Sequence, residues 1–346
     1  MYEVHRNFRT IYPGGCSMHS SKTFGILFIA VVTIFAALKD DSVEITEWQV
    51  PWEGTRPRDP YVDGQGRVWF VGQQGNYIAY LDPEKGTFKR YEIEEGTYPH
   101  NLIVDTQGSV WYAGNRNARI GRLDPKNGTV KTFPMPDSEA RDPHTLVLDR
   151  DGDIWFTAQG GNVIGKLMTK TGKVHIIKVP TSRARPYGIK IDSKGRPWIV
   201  LFGTNKIATI DPETMELEEI DLPRPDTRPR RIEIDSNDIL WYVDYSKGYL
   251  GRLDPKTRKV REWAAPGGES SRPYGTALDD KDRIWFVESG LDPNRLVGFD
   301  QKTEKFFSKT VIESGGGTVR HMYFHSPTRE IWFGTDTNYI GRARIP

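Results

Sequence analysis

A chain of 346 residues with 48 Lys and Arg against 46 Asp and Glu carries a formal charge of +2, so its overall electrostatics give no case for a nucleic-acid partner. Hydrophobic content of 37% with 12% aromatic is low for a helical core and ordinary for short amphipathic strands, in which alternate residues turn inward. A single cysteine, Cys16, excludes any intramolecular disulfide.

The first feature in chain order is an uncharged apolar run over residues 23–38, between Lys22 and Lys39. Its length fits the core of a signal peptide better than a full membrane span, which needs about 20 residues. Cleaved signal and uncleaved anchor are both compatible with residues 1–42, and Met18 is a second candidate start beside Met1. Either way the remainder, residues 43–346, is expected to be exported to a periplasmic or other extracytoplasmic space. Any membrane contact is expected through the N-terminal segment alone.

Seven tryptophans then set the organisation of the chain. Trp69, Trp111, Trp155, Trp198, Trp241, Trp285 and Trp332 recur every 42 to 47 residues, each within a near-copy of one phrase. The phrase is clearest as Arg185-Pro-Tyr-Gly-Ile-Lys-Ile-Asp-Ser-Lys-Gly-Arg-Pro-Trp198. Each copy contains four strand-like segments. In the second copy these are residues 98–105 (a), 110–112 (b), 119–124 (c) and 130–136 (d), joined by turns around Gly108 and Gly128. A repeat of this length and content predicts an all-β fold, a seven-bladed β-propeller with one blade per copy and the tryptophans between blades. The last copy ends after strand c, whereas an unmatched strand over residues 43–51 precedes the first. That N-terminal strand is expected to complete the last blade and close the ring, which removes exposed sheet edges. A monomer is expected.

In such a fold strand a lines the central channel. Eleven residues before each tryptophan stand Arg58, His100, His144, Tyr187, Arg230, Tyr274 and His321, all large and polar or aromatic. At a shared register they would ring the channel mouth, either gripping a common ligand or plugging the channel by mutual hydrogen bonds. Two positions earlier stand Arg56, Tyr98, Asp142, Arg185, Arg228, Arg272 and Val319. This arginine collar suits a carboxylate or phosphate, because the guanidinium fork matches those groups; pairing with Asp142, Asp244 and Glu288 is the alternative. Three residues beyond the tryptophans, acids occur only as Asp244 and Glu288, with Asp336 one place further in blade seven. Oxygen ligands of this kind suit Mg²⁺ or Ca²⁺. No Gly-rich phosphate loop, paired cysteines or Gly-x-Ser-x-Gly nucleophile is present. His175 and His325 fall off the ring register and are expected at the surface.

The Arg-Pro-x-Gly-Ile opening, the Ile-Trp-Phe strand and the Asn-x-Ile-Gly-Arg-Leu segment resemble the streptogramin B lyases, also called virginiamycin B lyases, over residues 44–346. The resemblance implies a seven-bladed propeller that opens a cyclic depsipeptide by Mg²⁺-assisted elimination across its ester, with a histidine as general base. The family pattern has a histidine after the proline of blade six, a Glu-Pro-His group opening blade seven and a glutamate ending strand b of blade seven. Here Tyr274 takes the first position, Val319-Arg320 replaces the Glu-Pro pair, His321 keeps the histidine and Asp336 stands for the last acid. The lyase reading therefore makes His321 the base, with Asp336 and Glu288 holding Mg²⁺ and Tyr274 or Arg230 stabilising developing charge. A binding reading gives Arg58, His100, His144, Tyr187, Arg230 and Arg272 an anionic or peptide-like small ligand without chemistry. A protein-docking scaffold is the third reading, since propellers host all three.

Overall fold

The computed structural model describes residues 42–346; the apolar run and the signal or anchor expected over residues 1–42 lie outside the described residues but for Ser42. The described chain forms seven four-stranded antiparallel sheets. Six run in sequence order from strand a inside to strand d outside. The seventh takes its outer strand from the N-terminus: Glu44–Gln49 pairs antiparallel with Tyr339–Arg344, Glu44 opposite Arg344 and Gln49 opposite Tyr339. The predicted closure is therefore the observed one. In the second blade the strands are Pro99–Val104, Val110–Gly114, Arg119–Leu123 and Val130–Pro134.

The apolar core lies between blades, as the strand alternation dictates. Trp69 of blade one packs with Leu102, Val104 and Val110 of blade two, and Trp241 of blade five packs with Ile284 and Phe286 of blade six. Five of the seven indoles also donate to an aspartate six residues earlier, from 2.7 Å for Trp69 to Asp63 to 3.0 Å for Trp241 to Asp235. The same aspartates accept backbone N–H groups of the a–b turn, so each fixes the hairpin and the indole together. Strand c needs a glycine where strand b lays an aromatic ring across it. A Cβ on Gly121 or Gly251 would overlap the ring of Tyr112 or Tyr242.

Two features of strand a position the site. In blades one to six a β-bulge follows the first residue or two of the strand, as between Pro186 and Ile189. Bulges re-aim side chains, and here two successive residues reach the channel. Before the bulge, Arg56, Tyr98, Asp142, Arg185 and Arg272 take left-handed φ angles of 41° to 59°. This reverses the chain from the top-face loop into the strand at a cost of about 1 kcal/mol or more per residue.

Candidate functional site

Blade seven departs from the other six in register. Strand a places its residue eight before the tryptophan directly opposite that indole in six blades, as Lys190 opposite Trp198. In blade seven Tyr323, nine before, stands opposite Trp332. The a–b hairpin is thus one residue longer, and every position upstream of it moves by one. Arg320, not His321, is the seventh member of the mouth ring; Val319 takes the place of the strand-a prolines and is fully buried as they are. His321 falls to the next register, the level of Asp59, Asn101, Thr145, Gly188, Arg231 and Gly275. The expectation that His321 lines the mouth is corrected accordingly.

The mouth is a cavity of about 330 Å³ with Arg58, His100, His144, Tyr187, Arg230, Tyr274 and Arg320 in its wall, joined by Arg56, Asp142 and Tyr245. His321 is absent from that wall, and so is Arg272, which stands exposed on the rim. Of the collar, Arg56, Asp142 and, at the shifted register of blade seven, Thr318 in place of Val319 reach the cavity. Asp142 is turned to the backbone, accepting from Gly160 and Gly161 at 2.7 and 3.0 Å. His175 and His325 lie outside the channel and are half-buried rather than exposed.

The ring is asymmetric. On one side the imidazoles of His100 and His144 lie 3.5 Å apart between centroids, with Tyr187 4.1 Å beyond His144. Burial, then the charge of nearby arginines, holds both histidines uncharged, well below the ordinary imidazole range. On the other side the Tyr187 and Tyr274 hydroxyls touch. The Arg230 guanidinium sits against four rings, 3.7 Å from Tyr274, 4.2 Å from Tyr245, 4.6 Å from Phe202 and 5.2 Å from Tyr187. Burial raises the Tyr187 phenol, but Arg230, Arg231 and Arg58 together outweigh it and bring it down to about 8. Burial and the neighbouring phenol push Tyr274 up to about 12.

Beneath the ring runs a buried polar layer. Asp59 accepts from Arg58 at 2.9 Å and Asn101 at 3.0 Å and faces Arg231 at 3.5 Å. Arg231 donates to Thr145 and to the Arg320 carbonyl. Burial works against the Asp59 carboxylate charge, yet Arg58 and its cationic neighbours hold it far below the usual range. In the same layer burial and Arg231 lower His321 to about 3, and its Nδ1 has no partner.

The acids expected to hold Mg²⁺ are engaged elsewhere. Glu288 is fully buried, with one oxygen on Arg295 and the other accepting the Gly267 N–H. Asp336 accepts from Arg320 at 2.6 Å and faces Arg56 at 3.6 Å. Asp244 accepts the Arg228 N–H at 2.9 Å and pairs with Arg224, organising the loop as Asn76 and Asn162 do for other blades. Among the described residues no group of three or more His, Cys, Asp or Glu side chains is placed to hold a metal ion. A donor set already matched by guanidinium groups does not fit a resident divalent cation.

The sequence model of the Virginiamycin B lyase family matches residues 32–296. The chain belongs to the virginiamycin B lyase family. Selenomethionine-substituted virginiamycin B lyase from Staphylococcus aureus superposes with a TM-score of 0.80 at 23% identity, over 88% of this chain and 100% of that one. A streptogramin B lyase structure gives 0.79 at 25%, over 88% and 98%. A catalytically inactive variant of the Staphylococcus aureus enzyme, crystallised with quinupristin, gives 0.80 at 24%, over 88% and 100%. No curated protein matches the chain. With the structural register, the positions that the resemblance assigns to the virginiamycin B lyase site hold Tyr274 in blade six and Thr318-Val319-Arg320 in blade seven. Neither ring position that the pattern gives to histidine has one here.

Proposed function

We propose that this member of the virginiamycin B lyase family binds an anionic ligand, a carboxylate- or phosphate-bearing small molecule or peptide-like compound, in the mouth of its channel. One observation carries the reading: Arg58, Arg230 and Arg320 each bury a guanidinium nitrogen without a protein partner, and all three line the cavity. A buried donor left unpaired costs about 1 to 3 kcal/mol, more when charged, and an oxyanion that draws these guanidinium groups toward the cavity recovers that cost. Charge counting agrees. The five guanidiniums of Arg56, Arg58, Arg230, Arg231 and Arg320 share two carboxylates, Asp59 and Asp336, while Arg230 has no acidic partner, only aromatic rings and the Tyr187 hydroxyl.

The same observations weigh against metal-assisted ring opening. His321 lies below the mouth, and Asp336 and Glu288 are already paired with arginines, which leaves neither acid free for Mg²⁺. Calorimetry with citrate tests the proposal. Arg320→Ala is expected to weaken binding by about tenfold or more, and added salt to weaken it further. Unchanged affinity in the variant would reject the reading, and so would Mg²⁺-dependent opening of quinupristin by the wild-type chain.

A further inference from the structure

The mouth leaves a charge problem that its carboxylates do not solve. Arg230 has no acidic partner and lies in a cage of Tyr187, Phe202, Tyr245 and Tyr274. Arg231 is 5.3 Å from the Tyr187 ring and 5.9 Å from that of Tyr274. The two phenols are 3% and 1% exposed, and their oxygens meet. That contact needs one proton between the oxygens, so the second can leave without breaking it. The groups facing the pair are Arg58 from blade one, His144 from blade three, Phe202 from blade four, Arg230, Arg231 and Tyr245 from blade five, and Arg320 from blade seven. Asp59, in the layer beneath the ring, is already held by Arg58 and Arg231.

We propose that Tyr187 and Tyr274 form a proton-sharing pair that serves as the built-in counter-anion of the mouth, and that an oxyanion ligand docks by returning a proton to that pair. The idea rests on the anion-binding reading above and adds to it: ligand and proton bind together, so the site selects oxyanions under conditions in which the pair can be protonated. The balance is simple. Free protein with one phenolate, one oxyanion and one proton from solvent give a complex with two neutral phenols, and no covalent bond to carbon changes. The lowered Tyr187 phenol, near 8, sets where the effect appears. Below that midpoint both phenols are neutral and affinity is flat. Above it a proton must be taken up, and affinity falls by about tenfold per pH unit.

Two measurements decide the matter. Near-ultraviolet tyrosinate absorbance of the free protein is expected to show one tyrosine ionising near 8, against roughly 10 for an unperturbed phenol. That step should vanish in Tyr187→Phe and move upward in Arg230→Gln, which tests the pair even if the first variant folds poorly. Affinity for citrate, and separately for inorganic phosphate, is then followed from roughly pH 7 to 9. Loss of affinity above the midpoint, with tyrosinate absorbance quenched on binding, supports the coupling, and whichever probe binds tighter identifies the oxyanion class. Absence of any tyrosine ionising below the unperturbed range overturns the pair. Tight binding with a flat pH dependence overturns the coupling and leaves anion binding standing. Failure of both probes at every pH rejects both proposals.

Discussion

The walls between the blades and the mouth of the channel are built from the same repeat and obey opposite rules. In the walls one solution recurs: an indole buried among neighbouring strands, its N–H on an aspartate that also ties the adjoining turn. Five of the seven indole N–H groups are matched in this way and the rest of the wall is chiefly apolar, so the walls need no ligand to complete them. In the mouth seven equivalent positions hold arginine, histidine and tyrosine, and buried donors remain unmatched. Repetition carries stability, and the departures from it give the mouth the unequal neighbours that the single anionic ligand proposed above would need.

The comparison breaks if a wall residue controls binding or a mouth residue contributes nothing to folding balance. Trp241→Ala is the strongest challenge: removing a buried indole between blades five and six should cost about 3 to 5 kcal/mol, read by urea denaturation. Citrate affinity of the folded variant should not change. A parallel loss of affinity would show that the wall and the mouth are coupled.

Asp59→Ala tests the opposite region. It leaves Arg58 and Arg231 buried beside each other without their carboxylate, and breaking such a pair from one side costs about 3 kcal/mol. The same change makes the mouth more positive. Citrate should bind more tightly while the fold weakens, and calorimetry beside denaturation reads both. Weaker binding would mean that Asp59 orients Arg58 more than it neutralises it.

The amount of this legible in the sequence follows the same division. Blade number, strand order and ring closure could be read because every copy repeats the tryptophan, the turn and the strand spacing. Six mouth positions could be read for the same reason. The seventh could not, since counting back from Trp332 assumes a constant a–b hairpin. The available signal was Ser326, which stands where the other copies have the turn aspartate; its absence marks a differently built turn. The roles of Glu288, Asp244 and Asp336 were hidden for another reason. Their partners Arg295, Gly267, Arg224 and Arg320 come from strands and loops outside the counted registers.

Acid should separate the two regions more gently. His100 and His144 are buried and His321 is half-buried, all three held uncharged, their folded values below 6.5 and that of His321 near 3. Between the folded and unfolded values the unfolded chain binds more protons. Stability is therefore fully present above about 6.5 and declines as pH falls, by roughly 1 kcal/mol per unit for each histidine. Thermal midpoints from pH 7 downward check the slope, and His321→Gln should reduce it. A slope unchanged by that variant would mean that His321 titrates in the folded chain as it does in the unfolded one.

The smallest effect is the most specific to the repeat. Trp285 donates to Asp279 at 2.9 Å, whereas the Trp332 indole N–H, in the blade without the turn aspartate, has no partner. Phenylalanine at either site removes similar apolar area, so the two substitutions differ mainly in hydrogen bonding. Trp285→Phe gives up a charge-assisted bond and leaves a buried carboxylate oxygen with one donor fewer. Trp332→Phe removes a donor that was already unmatched, which offsets part of the lost packing. The first should cost more than the second by about 1 kcal/mol, resolvable as a difference in urea midpoint. Equal costs would mean that the aspartate secures the turn and contributes nothing through the indole, and the wall would then owe its stability to packing alone.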